Sequence, residues 1–95
     1  MGRAIHRLGD ICTGHGCFGS RSNAGASKTV FVNGIGVHRV SDPWNSHCCG
    51  PACHGAVQQT GSPTVFVNGL ALARVGDSVS CGSRNQTGSP NVTAG

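Results

Sequence analysis

The clearest pattern along the chain is a short apolar run closed by Asn-Gly, and it occurs twice: T-V-F-V-N-G starts at Thr29 and again at Thr64. Asn-Gly flanked by β-branched and aromatic residues predicts a type I′ turn, in which both central residues take positive φ. Two hairpins follow, roughly 29–32 with 35–40 and 64–67 with 70–75. A two-residue loop places Val30 and Val32 on one face with Ile35 and Val37, and Phe31 on the other. The second hairpin repeats the arrangement, with Val65, Val67, Leu70 and Leu72 opposite Phe66. Apolar residues on both faces predict strands covered on both sides, or strands that keep one side for a partner.

The hairpins belong to a longer repeat. A-I-H-R-L-G-D ends at Asp10, G-V-H-R-V-S-D at Asp42 and A-L-A-R-V-G-D at Asp77. G-S-P-T-V at 61–65 returns as G-S-P-N-V at 88–92, a strand without its return, while the first copy begins at the second strand of its hairpin, near Arg3 to Leu8. One unit is thus permuted across the two ends. Residues 88–94 are expected beside 3–8, closing three hairpins around a pseudo-three-fold axis and removing free strand edges. Segments 11–27, 43–58 and 78–87, rich in Gly, Ser, Asn and Cys, read as irregular loops. The expectation is an all-β fold with little or no helix, one domain over 1–95 with repeats at about 1–27, 28–60 and 61–95.

Composition sharpens this picture. A chain of 95 residues buries a modest core and needs a metal, disulfides or a partner as a staple. Sixteen glycines, with no tyrosine and no glutamate, favour tight turns over helices. No stretch has the length and hydropathy of a signal peptide or membrane span, so synthesis in a cytoplasm is expected. The formal charge of +4 comes from seven Lys and Arg spread between Arg3 and Arg84, a weak footprint for nucleic acid. Six cysteines without a secretion signal, three of them at Cys48, Cys49 and Cys53, point to metal before disulfides.

Candidate chemistry follows the repeat. His15 lies five residues past Asp10, His47 five past Asp42 and Cys81 four past Asp77, so three equivalent loops would bring them to one apex. His54, in the longest and most cysteine-rich loop, is the natural fourth ligand. Three imidazoles and a thiolate form a closed tetrahedral set suited to one structural Zn2+, with no open position for water. Rival readings stay open: His15 as an exposed turn residue, Cys48, Cys49 and Cys53 as a separate zinc site, and Cys81 as a small buried hydrophobe. Cys12 and Cys17 are free to pair with each other or with the Cys48 to Cys53 group. Five cysteines outside the zinc set cannot all pair within a monomer.

Other recurrent positions read as structural. His6 and His38 match Ala73 in the third copy, which argues against ligation. Arg7, Arg39 and Arg74 with Asp10, Asp42 and Asp77 read as Asx-type turns with an ion pair. Trp44 reads as a loop anchor beneath His47. Without Glu, and with its three Asp placed in turns, the chain shows no catalytic constellation.

The repeated N-G-x-x-x-x-R-x-G-D pattern, with loops holding G-H-G-C, H-C-C-G-P-A-C-H-G and S-C-G-S between G-S-P-x-V strands, resembles the PAAR-repeat family from Ala4 to Gly95. The resemblance implies a small cone of β-hairpins with a zinc-stapled apex. Such a cone is the non-enzymatic, membrane-piercing tip of a contractile injection machine, a phage tail or a type VI secretion spike. It implies docking of one monomeric copy on the blunt end of a trimeric β-helical spike protein and transient contact with the target envelope. It also implies a zinc held by three His and one Cys, carried onto His15, His47, His54 and Cys81. No tetrapeptide spells the family name: they read Ala4-Ile5-His6-Arg7, Gly36-Val37-His38-Arg39 and Ala71-Leu72-Ala73-Arg74. Ser41 stands where the other turns have glycine, and no toxin extension is expected after Gly95. The expected site of action lies outside the producing bacterium. A small zinc module that binds nucleic acid is the alternative, and a zinc hydrolase would need an exchangeable water on the metal.

Overall fold

The computed structural model describes residues 2–95, and among them no helix forms. Eight strands make four two-stranded antiparallel sheets. They are β1 (Arg3–Ala4), β2 (Phe31–Val32), β3 (Ile35–Gly36), β4 (Pro43–Cys49), β5 (Ala52–Val57), β6 (Phe66–Val67), β7 (Leu70–Ala71) and β8 (Thr93–Ala94). Both Asn-Gly turns form as the sequence predicts, pairing Val32 with Ile35 and Val67 with Leu70. Asn33 and Gly34 take φ of 57° and 75°, and Asn68 and Gly69 54° and 80°, as a type I′ turn requires. The permuted third hairpin closes through the two ends, with β1 on β8 and Arg3 opposite Ala94.

The predicted hairpins are too long. Pairing within the second copy ends where Val37 N donates to Val30 O, and the chain then leaves its hairpin for its neighbours. His6 N donates to Ala73 O, Ala73 N to His38 O, and His38 N to His6 O, at 3.0, 2.9 and 3.1 Å. These three bonds form a closed ring about the pseudo-three-fold axis. On one side of the ring Ile5, Val37 and Leu72, equivalent in the repeat, pack with Val67 as a small apolar core. Phe31 and Phe66 point away from it and stay 57 % and 60 % exposed, so the strands are covered on one side only.

Each copy is locked by the same polar devices. Asp10 accepts from Arg7 N and Nε, Asp42 from Arg39 and Asp77 from Arg74, all within 3.1 Å, which makes each Arg-Asp pair part of its turn. Ser41 adopts φ of 79°, close to the 87° and 89° of Gly9 and Gly76, so the serine keeps the turn shape in a region that L-residues disfavour. Ser27, Ser62 and Ser89 each take two backbone N–H groups on one hydroxyl. Asn23, Gln58 and Asn85, four residues before those serines, are buried and bond carbonyls of the frame. The recurrence, an amide residue four positions before each serine, extends the repeat beyond its Arg-Asp turns.

Close backbone crossings each pair one glycine with one alanine. A Cβ on Gly61 would stand 3.1 Å from the Ala71 methyl, and one on Gly88 3.2 Å from that of Ala4. In the second copy the roles are exchanged: Ala26 carries the methyl and Gly36 the gap, again 3.2 Å apart. At each crossing a backbone carbonyl stands closer still, Ser27 O at 2.6 Å from a Cβ on Gly36, Leu72 O at 2.7 Å from one on Gly61 and Ile5 O at 2.7 Å from one on Gly88, so the close approach of the backbones itself requires the glycine.

The axis itself is filled by unlike residues. His6 and His38 are fully buried, with Nδ1 donating to Thr87 O at 2.7 Å and to Gly25 O at 2.6 Å. Ala73 cannot reach the equivalent carbonyl, so Gln58 Nε2 donates to Thr60 O instead, at 3.0 Å. Trp44 completes the layer, its ring 5.2 Å from His6 and 5.4 Å from His38, with Nε1 donating to Gln58 Oε1. It is the packed anchor that the sequence suggests, but it lies in the strand β4 where a loop was expected. Burial pushes the His6 pKa down to about 4, with the Thr87 carbonyl opposing and His38 assisting; burial lowers His38 too. The Nε2 atoms of both rings lack a hydrogen-bond partner among the described residues, so nothing there stabilises a second proton.

Two outcomes follow. Gly36→Ala should destabilise the chain by about 1–3 kcal/mol in urea unfolding, and adding Ala26→Gly should recover only a minor part of that loss, because the new Cβ still meets Ser27 O at 2.6 Å. The His6 imidazole should remain neutral at pH 6 and titrate near 4 by 15N NMR. Because its folded pKa is depressed, its contribution is complete above pH 6.5 and is lost as pH falls from there through about 4, roughly 3 kcal/mol in all.

Candidate metal centre

The segment 43–58, expected as a loop, is the longest hairpin in the chain: β4 pairs β5 with His47 opposite His54, Cys48 opposite Cys53 and Cys49 opposite Ala52. The sequence hides it because Asn, Ser, His, Cys and Gly carry neither strong β-propensity nor an apolar alternation. Strand alternation sends His47 and Cys49 to the inner face and Cys48 to the outer. Burial agrees, with His47 buried and Cys48 and Cys53 exposed.

On the inner face the hairpin meets the loop from the first copy. His15 and Phe18 exchange backbone hydrogen bonds at 3.0 and 2.9 Å in a tight turn that Gly14 and Gly16 enter at positive φ. A Cβ on Gly14 would lie 2.5 Å from Phe18 O, so the turn requires that glycine. The turn brings His15 Nε2 within 3.1 Å of His47 Nε2 and 3.0 Å of His54 Nε2, which are themselves 2.7 Å apart. Cys81 Sγ, from the third copy, is 3.9 Å from His47 Nε2, and the four ligand atoms all lie within 4.8 Å of one another. Zinc bonds of ~2.0–2.3 Å imply ligand separations of about 3.3–3.6 Å across a tetrahedron, which these contacts bracket.

The chemistry of the donors fits a cation. His47 Nδ1 donates to Gly19 O at 2.8 Å, which leaves Nε2 as a lone pair facing two other ring nitrogens. Lone pairs this close repel unless a proton or a metal ion sits among them. Burial would raise the Cys81 thiol, but the Ser83 backbone and hydroxyl, the Arg21 guanidinium and His54 outweigh it and bring the pKa down to about 5. A thiolate at neutral pH is the form a metal takes. Phe18, which the sequence did not single out, packs its ring within 5.0 Å of all three imidazoles and screens them from water.

The remaining cysteines correct the expectation that metal precedes disulfides. Cys17 bonds Cys49 and Cys48 bonds Cys53, with Cα separations of 5.5 and 4.1 Å. The rival Cys48, Cys49 and Cys53 zinc set is therefore not assembled. Both bridges lie within two residues of a histidine of the cluster, and they tie His15, His47 and His54 into one covalent frame. Cys12 stays unpaired and buried.

An all-β frame with a pseudo-three-fold repeat, closed at one side by three histidines and a cysteine that converge from one hairpin and two loops, defines a class of small β-hairpin cones with a candidate metal site. The chain belongs to the PAAR motif family, matched over residues 18–87, the structural spike-tip proteins of contractile injection systems. No curated protein matches it.

Disulfide mapping after denaturation in excess alkylating agent should recover Cys17–Cys49 and Cys48–Cys53 as linked peptides and label Cys12 and Cys81. Cys49→Ser should lower the unfolding free energy by roughly 2–4 kcal/mol in a denaturant titration, because the bridge closes a long loop.

Proposed function

We propose that this chain is the non-enzymatic, membrane-piercing tip of a contractile injection machine, a phage tail or a type VI secretion spike, with one structural zinc held by His15, His47, His54 and Cys81. The observation that carries the reading is the convergence of those four donors, one or two from each repeat, on a frame with three-fold pseudo-symmetry. Four protein ligands leave the metal no open position, which favours a structural role over a hydrolytic one. The ion would brace three loops that have few apolar contacts of their own and would otherwise deform under load.

The base would dock on the blunt end of a trimeric β-helical spike, one copy per trimer. Pseudo-three-fold geometry suits a true three-fold partner. The exposed Phe31 and Phe66, at equivalent positions of β2 and β6, supply apolar contact on the hairpin faces. The protein would be made in a bacterial cytoplasm and carried outward on the assembled machine to a transient contact with the target envelope. The basic composition gives little support to nucleic-acid binding: Arg7, Arg39 and Arg74 are spent on their aspartates and Arg21 is buried.

Metal analysis of the purified chain should find one zinc, and His15→Ala or Cys81→Ser should each reduce it severalfold. Mixing with a candidate spike trimer should give one copy per trimer by light scattering. A chain purified without zinc, or variants that keep it fully, would sink the metal assignment; a ratio other than one per trimer would sink the docking.

A further inference from the structure

Arg21 is buried, only 9 % exposed, and no carboxylate faces it. The chain has no Glu, and its three Asp are held by Arg7, Arg39 and Arg74, with Arg3 also near Asp77. A buried cation needs an anion, and the groups that its guanidinium meets are sulfurs. Nη1 donates to Cys12 Sγ at 2.9 Å and Nη2 to Cys81 Sγ at 3.3 Å. Nε donates to Asn45 O at 2.8 Å, and the plane lies 5.0 Å over the Trp44 ring. Trp44 is itself fixed by Gln58, so the fork cannot swing away. Cys12 is fully buried and outside the ligand cluster, and Ser83 approaches the Cys81 sulfur from another side at 3.6 Å.

We propose that Arg21 is the positioning residue of the metal centre: its guanidinium clamps the Cys12 and Cys81 sulfurs together, aims the Cys81 sulfur at the three imidazoles and sets the strength of the sulfur–metal bond. The inference rests on the reading of His15, His47, His54 and Cys81 as a metal site. Of the four, Cys81 alone has no disulfide beside it, so what orients it must be noncovalent. A charge-assisted N–H···S bond withdraws electron density from the sulfur and fixes its direction, and the planar fork reaches two sulfurs where an ammonium reaches one. Cys12 serves as the second anchor of the fork.

The test uses the full chain, stripped with a chelator and reloaded with Co2+ alone, with two readouts: the near-ultraviolet sulfur-to-cobalt band and the affinity from chelator competition. Wild type should show the band, and Cys81→Ser should abolish it. Arg21→Met should move the band to lower energy and weaken binding about tenfold to hundredfold, the usual effect of losing an outer-shell partner. Arg21→Lys should fall between, and it decides the matter by the same readouts if Arg21→Met does not fold. Weakened binding with an unmoved band would mean that Arg21 only supports the fold, and would overturn the proposal; unchanged band and affinity would overturn it as well. A wild-type chain without the band, indistinguishable from Cys81→Ser, would instead overturn the metal reading and the proposal with it.

Discussion

Three backbone hydrogen bonds that close on themselves, from His6 to Ala73, Ala73 to His38 and His38 to His6, are what the rest of the structure depends on. To make them, each copy must leave its own hairpin after two or three residues and reach across the axis to another copy. No copy can therefore fold by itself. The two ends of the chain must also come together, because the first copy's hairpin is made from β1 and β8. The ring places Ile5, Val37 and Leu72 on one side, where they make the main apolar core. It leaves the other side to be filled by Trp44, Cys12 and Val79.

On this symmetric frame the departures from symmetry carry the specific chemistry. Two histidines and an alanine occupy the axis, and the missing ring is compensated by the Gln58 amide and the Trp44 indole. The second copy exchanges the glycine and the alanine of its crossing, with Gly36 against Ala26 and the Ser27 carbonyl. The largest departure is the β4–β5 hairpin, inserted in the second copy only, which supplies two of the four candidate ligands and three of the four bridged cysteines. A three-fold frame thus delivers a four-donor site.

Above the histidine layer, apolar burial gives way to bonds of other kinds. Two disulfides, a cluster of facing imidazole nitrogens, and a guanidinium shared between two sulfurs hold segments that have few side chains to pack. For a spike-tip family this division has a mechanical sense. A narrow point has too little volume for a hydrophobic core, since buried volume falls faster than surface as a body shrinks. Covalent and coordinate bonds do not depend on volume.

Much of this was legible in the sequence because it depends on local rules or on repetition. The Asn-Gly turns, the Arg-Asp pairs, the closure of 88–94 on 3–8 and the grouping of His15, His47 and Cys81 follow from turn chemistry and equivalent spacing, and His54 joins them through its place in the cysteine-rich segment. The register of β4 with β5, the pairing of Cys17 with Cys49, and the gathering of Phe18 and Arg21 around the site were decided by tertiary structure alone. In each case the partners are far apart in the chain or lack local propensity, and only the folded frame sets which side chains meet. The sequence by itself determined the repeat and the candidate donors. The ring at the axis decided how far each hairpin runs, because a backbone bond to another copy must replace one within the hairpin.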